Sequence, residues 1–375
     1  MMTPKKEVPR HRTTVVIAGR LAIGGDAPVT VQTMWKRPLG TADRETVDAV
    51  RLLSALGCDL LRFAVPRIDT ADRLGELALT VDLPLVADIH FDHRIALRCM
   101  DYPVAKVRIN PGNIGAAWKV EEVVRKAKDR GIALRVGINA GSLPKRLAAE
   151  KDLAVAMFRA AEEELGTLER LGFDQVVFSL KSSDIDDTIR ANRLFSERHH
   201  NPLHLGLTEA GPLVAGLVRS TSALEALLED GIGDTIRVSL SDSPESEVAA
   251  GREILRVCGL QSPGVRIVSC PTCGRAVFDV KGFVREVQPF LEAQRKTMTV
   301  AIMGCPVNGP GEARHADLGI TGSSKYAVIF KEGRVLKRVP ADRAVEAFKE
   351  EVEKFSSPAE PSDREPEQPS GSSSA

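Results

Sequence analysis

Two cysteines separated by two residues lie in the segment SCPTCGR, residues 269–275. A third cysteine, Cys305, follows another apolar run in the segment MGCPVNGPGE. If these two runs are neighbouring strands, Cys270, Cys273 and Cys305 come together from adjacent loops. Three thiolates in this pattern suit a zinc ion or an iron-sulfur cluster, so the sequence predicts a metal centre here.

The fourth ligand of this centre is not another clear cysteine or histidine, although a structural zinc site normally has four such ligands. Glu312 is the only acid in the glycine-rich loop after Cys305, and its carboxylate is a labile iron ligand that could leave when substrate arrives. A helix cap or surface acid is the alternative role for Glu312. Cys258 competes as a ligand, but it ends a helical pattern and is expected to pack in the interior. The glycines of the loop favour a bulky cluster over a single ion.

A second group of polar residues ends a series of short β-rich runs in the first two-thirds of the chain. Residues two apart on a strand point to the same side, so pairs such as Arg108 with Asn110 would face one site. The group consists of Arg62, Asp88, His90, Arg108, Asn110, Arg135, Asn139, Lys181, Glu209, Arg237 and Ser239.

The five cations of this group predict an anionic ligand. Any one arginine could be a salt-bridged residue at a strand end. Bringing five cations together is too unfavourable in free energy unless an anion lies among them. Asp88 and Glu209 cannot neutralise five positive charges. We therefore expect a small polyanionic substrate such as a diphosphate. His90 is either a general acid or a hydrogen-bonding residue in the wall of the site. Glu209 is a candidate acid or base only once substrate phosphate balances the positive charge around it.

The elements that carry these residues alternate between β-rich runs and longer amphipathic stretches. Eight such units match the size of an α/β fold of the (β/α)8 barrel type, in which the C-terminal strand ends surround the active site. A doubly wound open sheet is the alternative, and the lack of a glycine-rich dinucleotide motif makes it the weaker one. Strands are expected in TVQTM, DLLRFAV, PLVADIH, AKVRIN, ALRVGIN, QVVFSLK, LHLGLTE and DTIRVSL.

Four regions are expected along the chain. The N-terminal segment is typical of an arm and a hairpin turning at Gly24-Gly25, placed as a plug at the base of the barrel. The C-terminal domain combines strands with a helix that Pro289 kinks or breaks, a hairpin turning at Glu332-Gly333 and a final helix. The regions are residues 1–27 (arm and hairpin), 28–260 (barrel), 261–355 (small α+β domain) and 356–375 (disordered tail).

The composition excludes several classes of protein. Lys plus Arg and Asp plus Glu are 51 each, which argues against a general binder of nucleic acid or membrane surfaces. No apolar run reaches the roughly 18 residues of a membrane span, and the basic N-terminus lacks the apolar stretch of a signal peptide. Six cysteines are too few for a secreted disulfide scaffold. A cytoplasmic enzyme is expected.

Five motifs together resemble the GcpE/IspG family, the 4-hydroxy-3-methylbut-2-enyl diphosphate synthases of the non-mevalonate isoprenoid pathway. They are SCPTCGR, MGCPVNGPGEA, RINPGNIG, LHLGLTEAG and GIGDTIRVSL, and the resemblance extends from about residue 12 to residue 355. It implies a (β/α)8 TIM barrel joined to a domain similar to the iron-sulfur modules of sulfite and nitrite reductases. The resemblance is to the two-domain bacterial form of the family, because the extra domain of plant and parasite relatives is absent.

The resemblance also implies a cofactor and a reaction. A [4Fe-4S] cluster would be held by Cys270, Cys273, Cys305 and an exchangeable Glu312. Two electrons from a reduced flavodoxin or ferredoxin would open the ring of 2-C-methyl-D-erythritol 2,4-cyclodiphosphate and remove one oxygen as water. The catalytic candidates are Glu209, His90 and Glu312. The substrate-binding candidates are Arg62, Asp88, Arg108, Asn110, Arg135, Asn139, Lys181, Arg237 and Ser239.

One departure from the family lies in the loop after the first strand. The segment VQTMWKRPLGTAD stands where VQSM and a short Thr/Asn-rich sequence are expected. The bulkier Trp35, Lys36 and Arg37 affect the expected contacts of this substrate loop and not the reaction.

The topology predicts a head-to-tail homodimer. The substrate residues lie at the C-terminal strand ends, whereas the eighth helix, about SEVAAGREILRVC, runs back for about 20 Å. The following GLQSPG, at about 3.5 Å per residue, is too short to bring the metal centre to the mouth of its own barrel. Each centre is therefore expected to cap the barrel of the other subunit.

Two alternatives to this function remain. A zinc-dependent barrel enzyme acting on a phosphorylated substrate would differ in its content of iron and acid-labile sulfide. A non-catalytic electron carrier or metal-stapled binding module would not turn over a cyclodiphosphate. The missing fourth thiolate and the cationic barrel mouth argue against the second alternative.

Overall fold

A computed structural model describes residues 9–144, 146–147, 150–260, 264–294, 296–305 and 315–355. The chain divides into two compact units between Ser262 and Pro263, close to the expected domain boundary after residue 260. The expected tail, residues 356–375, lies outside the described residues. No helix in the described part of the chain is long and apolar enough to cross a membrane.

The first unit opens with an antiparallel hairpin of β1 (Val16–Ala18) and β2 (Leu21–Ile23). Its turn is at Gly19, which has φ 62°, so the predicted turn at Gly24-Gly25 is wrong. Gly24 follows β2 instead, where an added Cβ would lie 2.2 Å from the carbonyl oxygen of Thr14. Gly24 is thus required for a close backbone approach rather than for the hairpin turn.

Eight parallel strands then form the barrel: β3 (Thr30–Met34), β4 (Leu60–Ala64), β5 (Leu85–Asp88), β6 (Lys106–Ile109), β7 (Ala133–Asn139), β8 (Val176–Lys181), β9 (His204–Leu205) and β10 (Thr235–Ile236). Their order in the sheet is β8-β7-β6-β5-β4-β3-β10-β9. A parallel bridge between Phe178 and Leu203 brings β8 beside β9 and closes the barrel. The predicted (β/α)8 fold is confirmed.

The last two strands are shorter than the segments predicted for them. After β9 the chain passes through Gly206, which has φ 151°. A Cβ at this position would lie 2.4 Å from the carbonyl oxygen of Arg237. The backbones of the two segments therefore approach too closely at this point for regular strand side chains.

Alternate strand residues face two different surroundings. Outward residues such as Leu61 pack with the helices in the main core. The neighbouring Leu60 belongs to a separate cluster, in which Val16, Ala18 and Ile23 of the hairpin pack against the N-terminal parts of the strands. The hairpin therefore plugs the base of the barrel, and the polar side chains are left at the C-terminal strand ends.

Amphipathic helices connect the strands: α1 (Arg44–Leu56), α2 (Ile68–Ala78), α3 (His93–Cys99), α4 (Pro111–Ile114), α5 (Ala117–Arg130), α6 (Leu153–Arg170), α7 (Ile185–Ser196), α8 (Leu213–Glu229) and α9 (Pro244–Val257). Asp43 caps α1 by accepting the N–H of Thr46, and Ser243 caps α9 in the same way through Ser246. Gly57 ends α1 in the left-handed conformation expected of a helix C-terminus.

The second unit is an α+β domain with strands β11 (Val265–Ser269), β12 (Met298–Ile302), β13 (Leu318–Gly322), β14 (Tyr326–Lys331) and β15 (Arg334–Pro340), and helices α10 (Val280–Glu292) and α11 (Ala344–Lys354). The sheet order follows the chain order. The hairpin turns at Glu332 and Gly333 as predicted, both with positive φ. α10 continues through Pro289, so this proline does not break the helix. β13 was not predicted.

Candidate active site

The polar strand ends of the barrel are neighbours in the sheet. Asp88 of β5 is in register with Arg108 of β6, and Arg108 is in register with Arg135 of β7. Asn139 at the end of β7 pairs with Lys181 at the end of β8. Strand pairing therefore gathers these predicted site residues at the C-terminal side of the barrel, where barrel enzymes have their active sites.

Asp88 is buried at the centre of this group. One carboxylate oxygen accepts a hydrogen bond from Arg108 Nη1 at 3.0 Å, and the other lies 3.5 Å from Arg62 Nε and from His90 Nε2. Burial alone would raise the pKa of Asp88. The charge of Arg62, the hydrogen bond from His90 and the charge of Arg108 together hold this pKa well below its usual value. Asp88 is therefore an anion that orients two arginines.

Cations outnumber anions in this buried group. Burial, followed by repulsion from Arg62 and Arg108, lowers the pKa of Arg135 well below its usual value. Burial and repulsion from Arg135 and Arg62 do the same to the pKa of Lys181, and burial lowers the pKa of Arg62 to about 10. Nε of Arg108, and Nε and Nη1 of Arg135, have no hydrogen-bond partner within the described residues. Buried nitrogens of this kind are costly without an acceptor, so the site is suited to an anion.

Two further buried residues, Lys106 and His204, were not among the predicted site residues. Both are 0% exposed, and Lys106 Nζ has no hydrogen-bond partner in the described part of the chain. Burial and nearby cations lower the pKa of each well below its usual value. Lys106 precedes Arg108 by two residues in β6, and the same strand alternation that identified Asn110 points to it as well.

The predicted amide and hydroxyl donors lie near these cations in sequence and register. Asn110 is buried, and its Nδ2 donates to Ser142 Oγ at 2.8 Å. Ser142 in turn donates to the carbonyl oxygen of Asn139 at 3.3 Å, which links the loops after β6 and β7. The side chains of Asn139 and Ser239 are half-buried and make no hydrogen bond to another described residue, so both are available to a ligand.

The two proton-transfer candidates have different environments. His90 has a side chain that is 47% exposed, and its Nδ1 lies 3.5 Å from Arg108 Nη1. Glu209 is exposed, and its φ of 50° is uncommon for a residue with a side chain. The preceding Thr208 donates its N–H to the carbonyl oxygen of Ser182 at 3.0 Å. Glu209 makes no ion pair with a described residue, so its carboxylate is available to a ligand.

The loop after β3 packs beside this group. Trp35 is buried and stacks on Phe63 with ring centroids 5.4 Å apart, and the Arg37 guanidinium lies 4.7 Å above the Trp35 ring. Lys36 and Arg237 both line a cavity of about 610 Å³ at this loop. The unusual Trp-Lys-Arg sequence is therefore a folded part of the wall next to a predicted substrate residue.

The three cysteines of the second unit lie on neighbouring loops. β11 and β12 are parallel neighbours with Ser269 opposite Ile302, so Cys270 and Cys305 follow adjacent strand ends. The N–H of Val277 donates to the carbonyl oxygen of Gly304 at 2.8 Å and ties the two loops together. A Cβ added at Gly304 would lie 3.5 Å from Cys270 Sγ. A side chain at residue 304 would therefore contact this thiol, and glycine keeps that space free.

These thiols differ in burial, with Cys270 half-buried, Cys273 exposed and Cys305 buried. Among the residues with described positions, no group of three His, Cys, Asp or Glu side chains is placed to hold a single metal ion. A four-iron cluster has a different requirement, because its ligands bind separate iron atoms. The predicted fourth ligand, Glu312, lies outside the described residues.

The remaining cysteines pack in the first unit, as predicted. Cys58 and Cys99 are buried, and burial raises the pKa of each thiol to about 12. Cys258 is half-buried at the end of α9 and packs against the main core. We infer that Cys58 and Cys99 are packing residues rather than ligands.

A (β/α)8 barrel with a buried cationic group at its strand ends, joined to an α+β domain that presents three cysteines, defines the class of two-domain barrel enzymes. Family models identify the particular family. A model described as the GcpE TIM-barrel domain matches residues 13–252, and one described as the GcpE protein C-terminal domain matches residues 266–354. The chain belongs to the GcpE family.

Curated relatives are similar over nearly their whole length. A protein of Treponema pallidum is 51% identical over 366 residues, covering 90% of this chain and 91% of the relative. A protein of Thermodesulfovibrio yellowstonii is 46% identical over 349 residues, covering 92% and 100%. Both are named 4-hydroxy-3-methylbut-2-en-1-yl diphosphate synthase (flavodoxin). Among solved structures, the dihydropteroate synthase of Yersinia pestis has a TM-score of 0.45 at 14% identity, covering 65% of this chain and 96% of that chain.

Proposed function

We propose that the chain is an oxidoreductase that converts 2-C-methyl-D-erythritol 2,4-cyclodiphosphate to (E)-4-hydroxy-3-methylbut-2-enyl diphosphate. With ionised diphosphates, two electrons and one proton are consumed, a ring C–O bond to phosphate is broken, and one oxygen leaves as water. Membership of the GcpE family and the activity named for its relatives support this reaction. The structural observation that carries it is the buried cationic group around Asp88.

The barrel residues would bind the diphosphate and fix its orientation. Phosphate oxygens would supply acceptors for Arg108 Nε and Arg135 Nη1, which have none among the described residues. Burial and, after it, repulsion from neighbouring cations lower the pKa of Lys181, and the phosphate charge would offset this repulsion. Guanidinium groups suit this role because their planar donors match phosphate geometry. The remaining binding residues are Arg62, Asn110, Asn139, Arg237 and Ser239, with Asp88 orienting the arginines.

Proton transfer would fall to His90 or Glu209. Asp88 Oδ2 lies 3.5 Å from Nε2 of His90, and Arg108 Nη1 lies 3.5 Å from its Nδ1, so both ring nitrogens are next to charged groups of the site. Glu209 is exposed and can approach the substrate carbons from the loop after β9. Comparing the pH profiles of Glu209→Gln and His90→Asn would assign the role, because loss of the donor removes one limb of the profile.

Cys270, Cys273 and Cys305 would hold a [4Fe-4S] cluster, with Glu312 as an exchangeable fourth ligand. The thiols fit this group because Cys270 and Cys305 follow adjacent strand ends and because Gly304 has no side chain to occupy the space beside Cys270 Sγ. When bound, the cluster supplies electrons to the substrate. A reduced flavodoxin is the proposed donor, since the relatives' names specify one. The described cysteines form no disulfide, which is typical of a reducing compartment, and we propose a cytoplasmic location.

The function is tested by iron, acid-labile sulfide and zinc analysis of anaerobically purified protein, followed by turnover of the cyclodiphosphate with reduced flavodoxin. We expect about four irons and four sulfides per chain and formation of the linear diphosphate. Cys305→Ser should lose iron and turnover together. One zinc without sulfide would contradict the reductive function and favour a zinc-dependent enzyme acting on a phosphorylated substrate.

We also propose a head-to-tail homodimer in which each barrel is completed by the partner's cysteine domain. The support is the short connection between the end of α9 at Val257 and the start of β11 at Val265. Mixing Cys305→Ala chains with Arg108→Ala chains should restore turnover, because one site of the heterodimer keeps both intact parts. The matched control mixes Cys305→Ala with chains that carry both substitutions, which cannot form an intact site. Confirmed heterodimers without turnover would reject this arrangement.

A further inference from the structure

A buried carboxylate lies behind the predicted substrate residue Arg237. It belongs to Glu247 in the first turn of α9, which is 0% exposed and was not predicted from the sequence. Arg237 donates to both of its oxygens, from Nε at 3.2 Å and from Nη2 at 3.1 Å. Such a two-point contact fixes the plane of a guanidinium group.

Three other groups complete the surroundings of this carboxylate. Thr33 Oγ1 donates to one oxygen at 2.7 Å, and the N–H of Leu240 donates to the other at 3.0 Å. Lys36 Nζ lies 2.7 Å from the latter oxygen. Burial alone would raise the pKa of Glu247, but the charge of Arg237 and the hydrogen bonds from Arg237, Lys36 and Thr33 lower it. The carboxylate is therefore ionised, and it links α9 to β3, to the loop after β3 and to the segment after β10.

The charge balance leaves one positive charge in excess. Two cations, Lys36 and Arg237, share the single charge of Glu247. Both cations line the cavity at the loop after β3, and their side chains are 28% and 12% exposed, whereas the Glu247 side chain is 0% exposed. The cations thus face the cavity and the carboxylate lies behind them. Since Glu247 engages Nε and Nη2 of Arg237, Nη1 is left for an anion.

We propose that Glu247 is a positioning residue that holds Arg237 for the substrate diphosphate, and that Lys36 offsets the charge of Glu247 so that Arg237 keeps its attraction for an anion. This rests on the proposed function for the identity of the anion. Lys36 belongs to the loop that departs from the family pattern, so the proposal gives this departure a role in substrate binding. The alternative is that Glu247 only links α9 to the barrel.

The test is a double-mutant cycle on the holoenzyme with Glu247→Gln, Arg237→Met and the double variant. The readouts are the Kd of inorganic pyrophosphate by calorimetry, and KM and kcat with the cyclodiphosphate. We expect Glu247→Gln to raise Kd and KM on the order of tenfold to a hundredfold, with a smaller change in kcat. In the Arg237→Met background it should change Kd by less than about twofold, because it acts through Arg237. Independent, multiplying effects would overturn the proposal.

Lys36→Met keeps the proposal testable if Glu247→Gln does not fold. It should raise the Kd of pyrophosphate several-fold, because Glu247 then neutralises Arg237, and an unchanged Kd would overturn the proposal. Glu45→Gln is the matched control, since Glu45 pairs with Arg37 of the same loop but is 79% exposed, and it should leave Kd unchanged. If the wild type binds pyrophosphate but does not turn over the cyclodiphosphate, the proposed function is rejected. The double-mutant cycle on pyrophosphate affinity still tests whether Glu247 positions Arg237.

Discussion

At the scale of single residues, the barrel contains buried charges that are unfavourable for stability but suited to binding an anion. Arg135 is buried with Nε and Nη1 unpaired within the described residues. Burial, followed by repulsion from Arg135, lowers the pKa of Lys181. Apolar residues in these positions would give a more stable barrel. Asp88 limits the cost by pairing with Arg62 and Arg108, but it cannot neutralise the whole group. The polyanionic ligand that we propose would account for the excess charge.

Glu164 in α6 provides a pH test at this scale. Burial, and then the charge of Glu163, raise the pKa of Glu164 to about 7, so the ionised carboxylate destabilises the folded state. The cost is absent below the unfolded pKa near 4.5 and is fully present above pH 7. Glu164→Gln should therefore raise the free energy of unfolding by about 1–2 kcal/mol at pH 8, allowing for solvent screening. Near pH 4.5 it should change little, as measured by urea unfolding.

The exposed Glu169 of the same helix is the control for this experiment. Glu169→Gln should leave the free energy of unfolding within about 0.5 kcal/mol of the wild type at both pH values. An equal gain at both pH values for Glu164→Gln would point to packing and would contradict the assigned pKa.

At the scale of elements, the barrel has different functions at its two ends. The hairpin of β1 and β2 closes the base with apolar side chains such as Val16 and Ile23. The other end carries the polar residues of β5 to β8, which strand register brings side by side. We therefore expect the base to contribute stability and propose that the C-terminal strand ends contribute ligand binding.

Two isoleucines of the hairpin test this division. Ile23 is 0% exposed in the plug, whereas Ile17 is 47% exposed on the same hairpin. Ile23→Ala should lower the free energy of unfolding by about 2–5 kcal/mol through lost burial and a cavity. Ile17→Ala should change it by less than about 0.5 kcal/mol. Both are measured by chemical denaturation, and equal effects of the two substitutions would rule out the plug.

At the scale of the whole molecule, the residues proposed for anion binding and those proposed for the iron-sulfur cluster belong to separate compact units. All predicted substrate residues precede Ser262, and the three cysteines follow Pro263. The two family models match the chain on either side of the same division. Anion binding and iron binding should therefore be separable by substitution, although turnover requires both.

A reciprocal pair of variants tests this separation. Cys305→Ser should lose iron but bind pyrophosphate within about threefold of the wild type, because its substitution lies outside the barrel. Arg135→Met should keep iron but bind pyrophosphate on the order of a hundredfold more weakly, since a buried cation is removed from the site. Metal analysis and calorimetry give the two readouts. Loss of both properties in either variant would contradict separate sites.

The sequence by itself determined the features that depend on local periodicity. Strand alternation identified Arg108 and Asn110 as one face of a strand, and the repeated strand-helix units predicted the barrel. The strand and helix pattern after residue 260 predicted the second domain, and cysteine spacing predicted a metal centre within it. These patterns are readable because side-chain direction along a strand follows from backbone geometry alone.

Only the tertiary structure decided which polar groups meet across elements. Glu247 lies in a helical pattern that predicts an ordinary first-turn acid, and its burial depends on how α9 packs beside β3 and β10. The hairpin turns at Gly19, whereas Gly24 lies where an added Cβ would be 2.2 Å from the carbonyl oxygen of Thr14, an approach that the glycine pattern alone does not reveal. Contacts between residues as distant as Thr33 and Glu247 arise from barrel closure, which no local pattern encodes. The physical reason is that local geometry determines the direction of a side chain, whereas its partners depend on packing.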